Sequence, residues 1–135
     1  MTDVVYTLLQ IIHNFGAAAV VASPIFAFWL AREQPAIQRR LAWLIVFGAM
    51  TQVGSGIGFG LTSYLLKGHL PEVEGVAYVA LLVKVFCVIA SPAIVLRFVL
   101  NATKGEPHNT RWAWLGALVL GSTAFTAAAF LRWYL

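Results

Sequence analysis

Two side chains set inside otherwise apolar stretches have the means to do chemistry. His13 is the one histidine and Lys84 the one formal charge found there; every other Asp, Glu, Lys and Arg falls at the end of a stretch or in a connection. An ammonium at mid-bilayer costs about 3 kcal/mol by insertion scales and more by simulation. It persists only where it faces the protein interior or water, so such a residue marks a functional site by default. A neutral imidazole can ligate a metal. An ammonium beside it can neutralise an acidic ligand.

The elements that must position these two residues are membrane spans. Of 135 residues, 61% are hydrophobic and only 10% charged, against about 25% charged in a soluble domain. A spanning helix needs about 20 apolar residues. Four stretches supply them: Val4–Leu30, Leu41–Leu66, Val76–Leu96 and Trp112–Leu131. The short connections make neighbours antiparallel. The expected fold is all-α, a four-transmembrane-helix bundle forming one integral membrane domain over residues 1–135. Val21-Ala22-Ser23-Pro24 in the first span is matched by Ile89-Ala90-Ser91-Pro92 in the third. The second and fourth spans open with Arg40-Leu41-Ala42-Trp43-Leu44 and Arg111-Trp112-Ala113-Trp114-Leu115. These matches suggest a duplicated helical hairpin, whose site would lie at the repeat interface. The alternative is that edge arginines and interfacial tryptophans simply recur. Pro24 and Pro92 should each kink a helix. Gly54/Gly58 and Gly56/Gly60 have the small-xxx-small spacing of close helix packing.

The net charge of +4 belongs to membrane edges, not to a nucleic-acid surface. Arg32, Arg39 and Arg40 follow the first span, and Arg97, Lys104 and Arg111 flank the third connection. The opposite side has Lys67 and Arg132 beside Asp3, Glu72 and Glu74. The positive-inside rule then places the first and third connections in the cytoplasm and both termini outside, in a bacterial inner membrane. Trp29, Trp43, Trp112 and Trp114 fall at the expected inner interface, and Tyr6, Tyr64, Tyr78, Trp133 and Tyr134 at the outer one. Cys87 is the only cysteine, which excludes an intrachain disulfide and suits a small buried hydrophobe. The first span is too long, and lacks the basic start, of a cleaved signal peptide, so it is expected to be retained.

By helical rise His13 lies about 13 Å, and Lys84 about 12 Å, from the outer ends of their spans. They share a depth near the midplane. Gln10, Gly16, Ala17 and Val20 surround His13 at helical spacing; Ala80, Cys87, Val88 and Ser91 share the face of Lys84. Gln52, Ser55 and Thr62 add polarity from the second span, with Met50 and Thr51 deeper. A pocket so lined could take haem b. His13 would be the axial ligand, Met50 a second one, Gln52 a lining group, and Lys84 the partner of a propionate or of a quinone or porphyrin anion. His69 and His108 sit in connections on opposite sides, so one chain offers no bis-histidine pair. The blander reading is that His13 hydrogen-bonds another helix while Lys84 lines a small watery cavity. Copper(I) favours soft donors, here Cys87 and Met50 with His13. A Ser-His-Asp set is excluded because no acid lies within a span, and phosphate-loop and zinc motifs are absent.

Ile11-Ile12-His13-Asn14-Phe15-Gly16-Ala17, Leu81-Leu82-Val83-Lys84-Val85 and the glycine-rich end of the second span together resemble the CopD-like/HemJ-like group of small bacterial membrane proteins. The resemblance implies four helices, His13 as haem or metal ligand, and Lys84 as partner of a carboxylate or reacting group. That group includes protoporphyrinogen oxidases and copper-resistance membrane proteins. Where the oxidases carry a Trp-x-Gly-Gly or Trp-Met-Gly pattern, this chain reads Ala17-Ala18-Ala19-Val20, and the basic, aromatic segment expected after the first helix is missing.

The leading expectation is therefore a small membrane redox protein or electron-transfer subunit binding haem b between spans one, two and three. A cofactor-free accessory subunit of a respiratory or transport complex is the second, and copper handling the third. A homo-oligomer or partner membrane subunits would fit each, and a homodimer would supply a second His13.

Overall fold

The computed structural model describes residues 1–100 and 107–134. Among them the chain forms α1 (Thr2–Trp29), α2 (Pro35–Lys67), α3 (Val76–Val95), a π-helical continuation over Leu96–Leu100, and α4 (Pro107–Tyr134). All four α-helices contribute stretches long and apolar enough to cross a membrane. Lys104 lies outside the described residues.

The helices outrun the apolar spans because hydropathy marks the lipid-facing part, not where backbone hydrogen bonding stops. The α2 helix is 33 residues long, about 50 Å against about 30 Å of hydrocarbon. It begins at Pro35, whose fixed φ and missing N–H suit a first helical turn, so Arg39 and Arg40 ride on helix. It ends at Gly68, left-handed at φ 75°, whose N–H bonds the Tyr64 carbonyl at 2.8 Å. Position 108 likewise belongs to the first turn of α4 rather than to a connection. Pro24 and Pro92 both sit inside continuous helix. Four residues beyond Pro92 the ladder passes into the π-helical turn.

Packing is most extensive within the α1–α2 and α3–α4 hairpins, with α1 also against α4 and α2 against α3. The closest approach in the first hairpin is not made by the glycine run. A Cβ on Gly16 would lie 2.9 Å from the Gly48 carbonyl oxygen, and one on Gly48 2.9 Å from the Gly16 carbonyl oxygen. Only hydrogen at both positions lets the two backbones touch. Of the run, Gly58 meets Leu9, while Gly54, Gly56 and Gly60 face open space.

Two apolar layers form the core. Val20, Ala49, Cys87, Val88 and Ala124 make the layer nearer mid-helix. Ala27, Ala42, Ile45, Val95, Val99, Ala113, Trp114 and Ala117 make the second, toward the basic ends. Trp29, Trp43 and Trp112 are exposed as interfacial residues should be, but Trp114 is buried. Its Nε1–H donates to Gln38 Oε1 at 3.3 Å, and Gln38 Nε2 donates to the carbonyls of Ala31 at 2.8 Å and Arg32 at 3.0 Å. The indole has found its polar partner inside the bundle, which removes its reason to sit at the headgroups. Large apolar side chains such as Phe15, Phe47 and Phe86 point outward, as a lipid-facing surface requires.

Candidate functional site

Three helices bring polar groups to one point. His13 on α1 faces α2 because the Gly16–Gly48 crossing, one turn away, draws the two backbones together. Gln52 and Ser55, three residues apart on α2, share the face that meets it. Gln52 donates through Nε2 to the backbone carbonyl of His13. This clamps the main chain of α1 directly beneath the imidazole.

The ring is held at both nitrogens. Nδ1 lies 2.7 Å from Ser55 Oγ, and Nε2 lies 3.1 Å from Lys84 Nζ on α3. Ser55 Oγ also lies 2.5 Å from the Thr51 carbonyl oxygen, to which it gives its single proton. Its hydroxyl oxygen must therefore accept from His13, which puts the imidazole proton on Nδ1. Nε2 is left as a lone pair, and the Lys84 ammonium donates to it. Phe59 stands edge-on to the ring at 5.9 Å and stacks with Tyr6 at 6.1 Å. Beside this edge a shallow groove of about 370 Å³ runs between Tyr6, Thr7, Gln10, Ile11 and Phe59.

The structure thus joins His13, Lys84 and Gln52 in one cluster with Ser55. It does not bring Met50 there. Met50 is 64% exposed and lies about 200° around α2 from Gln52, on the opposite side of the helix. Cys87 is buried in the apolar layer one turn from Lys84. Among the described residues no group of three His, Cys, Asp or Glu side chains gathers to hold a metal. Gln10, expected on the inner face, is exposed and donates to Asn14 Oδ1 at 2.8 Å. His69 is exposed, its ring bonded to the Leu70 carbonyl at 3.0 Å. Ser55 is the member that sequence reasoning placed only as a lining group; its spacing of three from Gln52 is the signal that marks it.

Chemically the cluster is one lone pair and one extra proton. It can share that proton between Nε2 and Nζ, or exchange the Lys84 contact for a metal at Nε2. A tethered second ring nitrogen is what a ligating histidine needs to hold its orientation. A ligand that carries both a metal and negative charge would match this pair of donors, one for each. A bare cation would have to displace an ammonium without replacing its partner. No protein-family model, curated protein or solved structure matches this chain.

Proposed function

We propose that this chain is a small multi-pass redox protein of a bacterial inner membrane that holds haem b, or a related acidic cofactor, at the His13–Lys84 pair. The observation that carries the reading is the head-on meeting of His13 Nε2 and Lys84 Nζ at 3.1 Å, with Nδ1 tethered to Ser55. Among the described residues Lys84 has no carboxylate beside it; Asp3, Glu33, Glu72 and Glu74 all lie near helix ends or in connections. A cofactor bearing its own carboxylates supplies the missing countercharge.

Bound haem b supplies a one-electron iron couple. The residues of this chain do the rest. His13 would hold the group through Nε2, with Ser55 fixing the orientation of the imidazole and Gln52 the α1 backbone beneath it. Lys84, on its flexible four-carbon stem, would be the residue to neutralise a carboxylate of the group. Met50 has no role in this account. The resemblance to the CopD-like/HemJ-like group supports the same pairing of residues. The charge asymmetry of the connections supports an orientation with both termini outside.

His13→Ala, purified from cells supplied with haem, should lose its haem while keeping its helical circular dichroism. Wild-type haem content in that variant would overturn the assignment.

One observation favours a second reading, an accessory subunit. Gly56 and Gly60, four residues apart on one face of α2, present small residues with open space beside them, a surface suited to a partner helix or a second copy. On that reading the protein purifies colourless and together with a partner.

A further inference from the structure

A second polar site lies at the end of the bundle where α1 stops and α4 begins. From His13 to Trp29 at the end of α1 is about 24 Å of helix, and just beyond it a cavity of about 400 Å³ opens between the end of α1 and the start of α4. Its floor is apolar, formed by buried Ala27 and the buried face of Trp114. Its rim is charged: Arg32 from the α1 side, Arg111 from α4, and Glu33.

The walls of this cavity are held in place. Gln38, itself buried, donates to the Arg32 carbonyl at 3.0 Å and accepts from Trp114 Nε1 at 3.3 Å. One side chain thereby fixes both the backbone carrying the first guanidinium and the indole floor. The Arg111 guanidinium lies over the Phe28 ring at 5.3 Å, which orients it by cation–π attraction.

We propose that this cavity binds the phosphodiester headgroup of a phospholipid, with Arg32 and Arg111 on the phosphate and Ala27 and Trp114 against the glycerol and first acyl carbons. Guanidinium forks match phosphate oxygens in pairs, and basic pockets between spans are where lipid headgroups bind. Among the described residues the rim carries two guanidiniums and one carboxylate, a single net positive charge that suits the one negative charge of a phosphodiester. The apolar floor favours an amphiphile over free phosphate, since only a lipid brings carbon to cover it. This site is separate from the His13 cluster, and its test does not depend on haem.

The full chain in detergent is titrated with phosphatidylglycerol and adducts are read by native mass spectrometry, with inorganic phosphate as competitor. The expected result is a retained lipid adduct, weakened about tenfold or more in R32Q/R111Q and unchanged in R39Q/R40Q, which removes equal charge outside the cavity. Millimolar inorganic phosphate should not displace it. Equal weakening in both double variants would reduce the effect to diffuse surface charge and overturn the site. No weakening in R32Q/R111Q would overturn it as well, and ready displacement by inorganic phosphate would overturn the lipid assignment. Should R32Q/R111Q lose its helical signal, R111K keeps the charge without the fork and is expected to bind several-fold more weakly; wild-type binding there counts against the proposal.

Discussion

The division of labour around His13 is set by single atoms. Ser55 spends its proton on Thr51 and so dictates which nitrogen of His13 is free. Ser55→Ala should leave the fold intact but let the ring turn, lowering haem affinity about 10- to 100-fold, as loss of a group orienting a metal ligand does. Haem retained per protein through a stepwise detergent wash reads this directly. Lys84→Met separates function from stability. It removes an ammonium whose desolvation is costly, so the thermal midpoint in detergent should hold or rise, while haem content falls for want of the countercharge. Unchanged haem content in Lys84→Met would remove lysine from the account. Both His13 and Lys84 were legible in the sequence, because a titratable group among apolar residues is conspicuous whatever the helix geometry. The exposure of Met50 was not, because depth along a span fixes only the axial coordinate and not the side of the helix.

Elements place these atoms through close approach. At the α1–α2 crossing each glycine sits where a Cβ would meet the other's carbonyl oxygen. Gly48→Val should push α1 off α2, separating His13 from Ser55 and Gln52. We expect a loss of about 1 to 3 kcal/mol from overpacking, seen as a lower thermal midpoint together with lost haem. Gln38→Ala acts on the other end of the bundle. It strands the buried indole N–H of Trp114 and should cost about 1 to 3 kcal/mol without touching haem content. That pair of variants distinguishes a crossing that serves the site from a bond that serves the fold. The sequence showed the four spans and the inward face of α3, where Ala80, Lys84, Cys87, Val88 and Ser91 are buried or half-buried as their spacing implies. It pointed to the wrong glycines for the crossing. Spacing identifies every helix face that could pack closely, but the choice among them depends on how two helices cross. The buried Trp114 was hidden for a related reason, since its partner Gln38 lies on another helix, 76 residues away in sequence.

At the scale of the whole molecule, the chain is two helical hairpins packed side by side, with a histidine–lysine cluster near mid-helix and a basic cavity at one end. The fold class follows from composition and spacing alone, because four long apolar stretches leave few other ways to satisfy backbone polarity in lipid. The chemistry does not follow so directly, since the same cluster could carry a proton or a cofactor. The most direct test is the visible spectrum of the detergent-purified protein, oxidised and then reduced with dithionite, for wild type and His13→Ala expressed with ample haem. Haem held by His13 should give a Soret band with sharpened α and β bands on reduction in the wild type, and their loss in the variant. A colourless wild type, or a spectrum that survives the loss of His13, would contradict haem binding at His13.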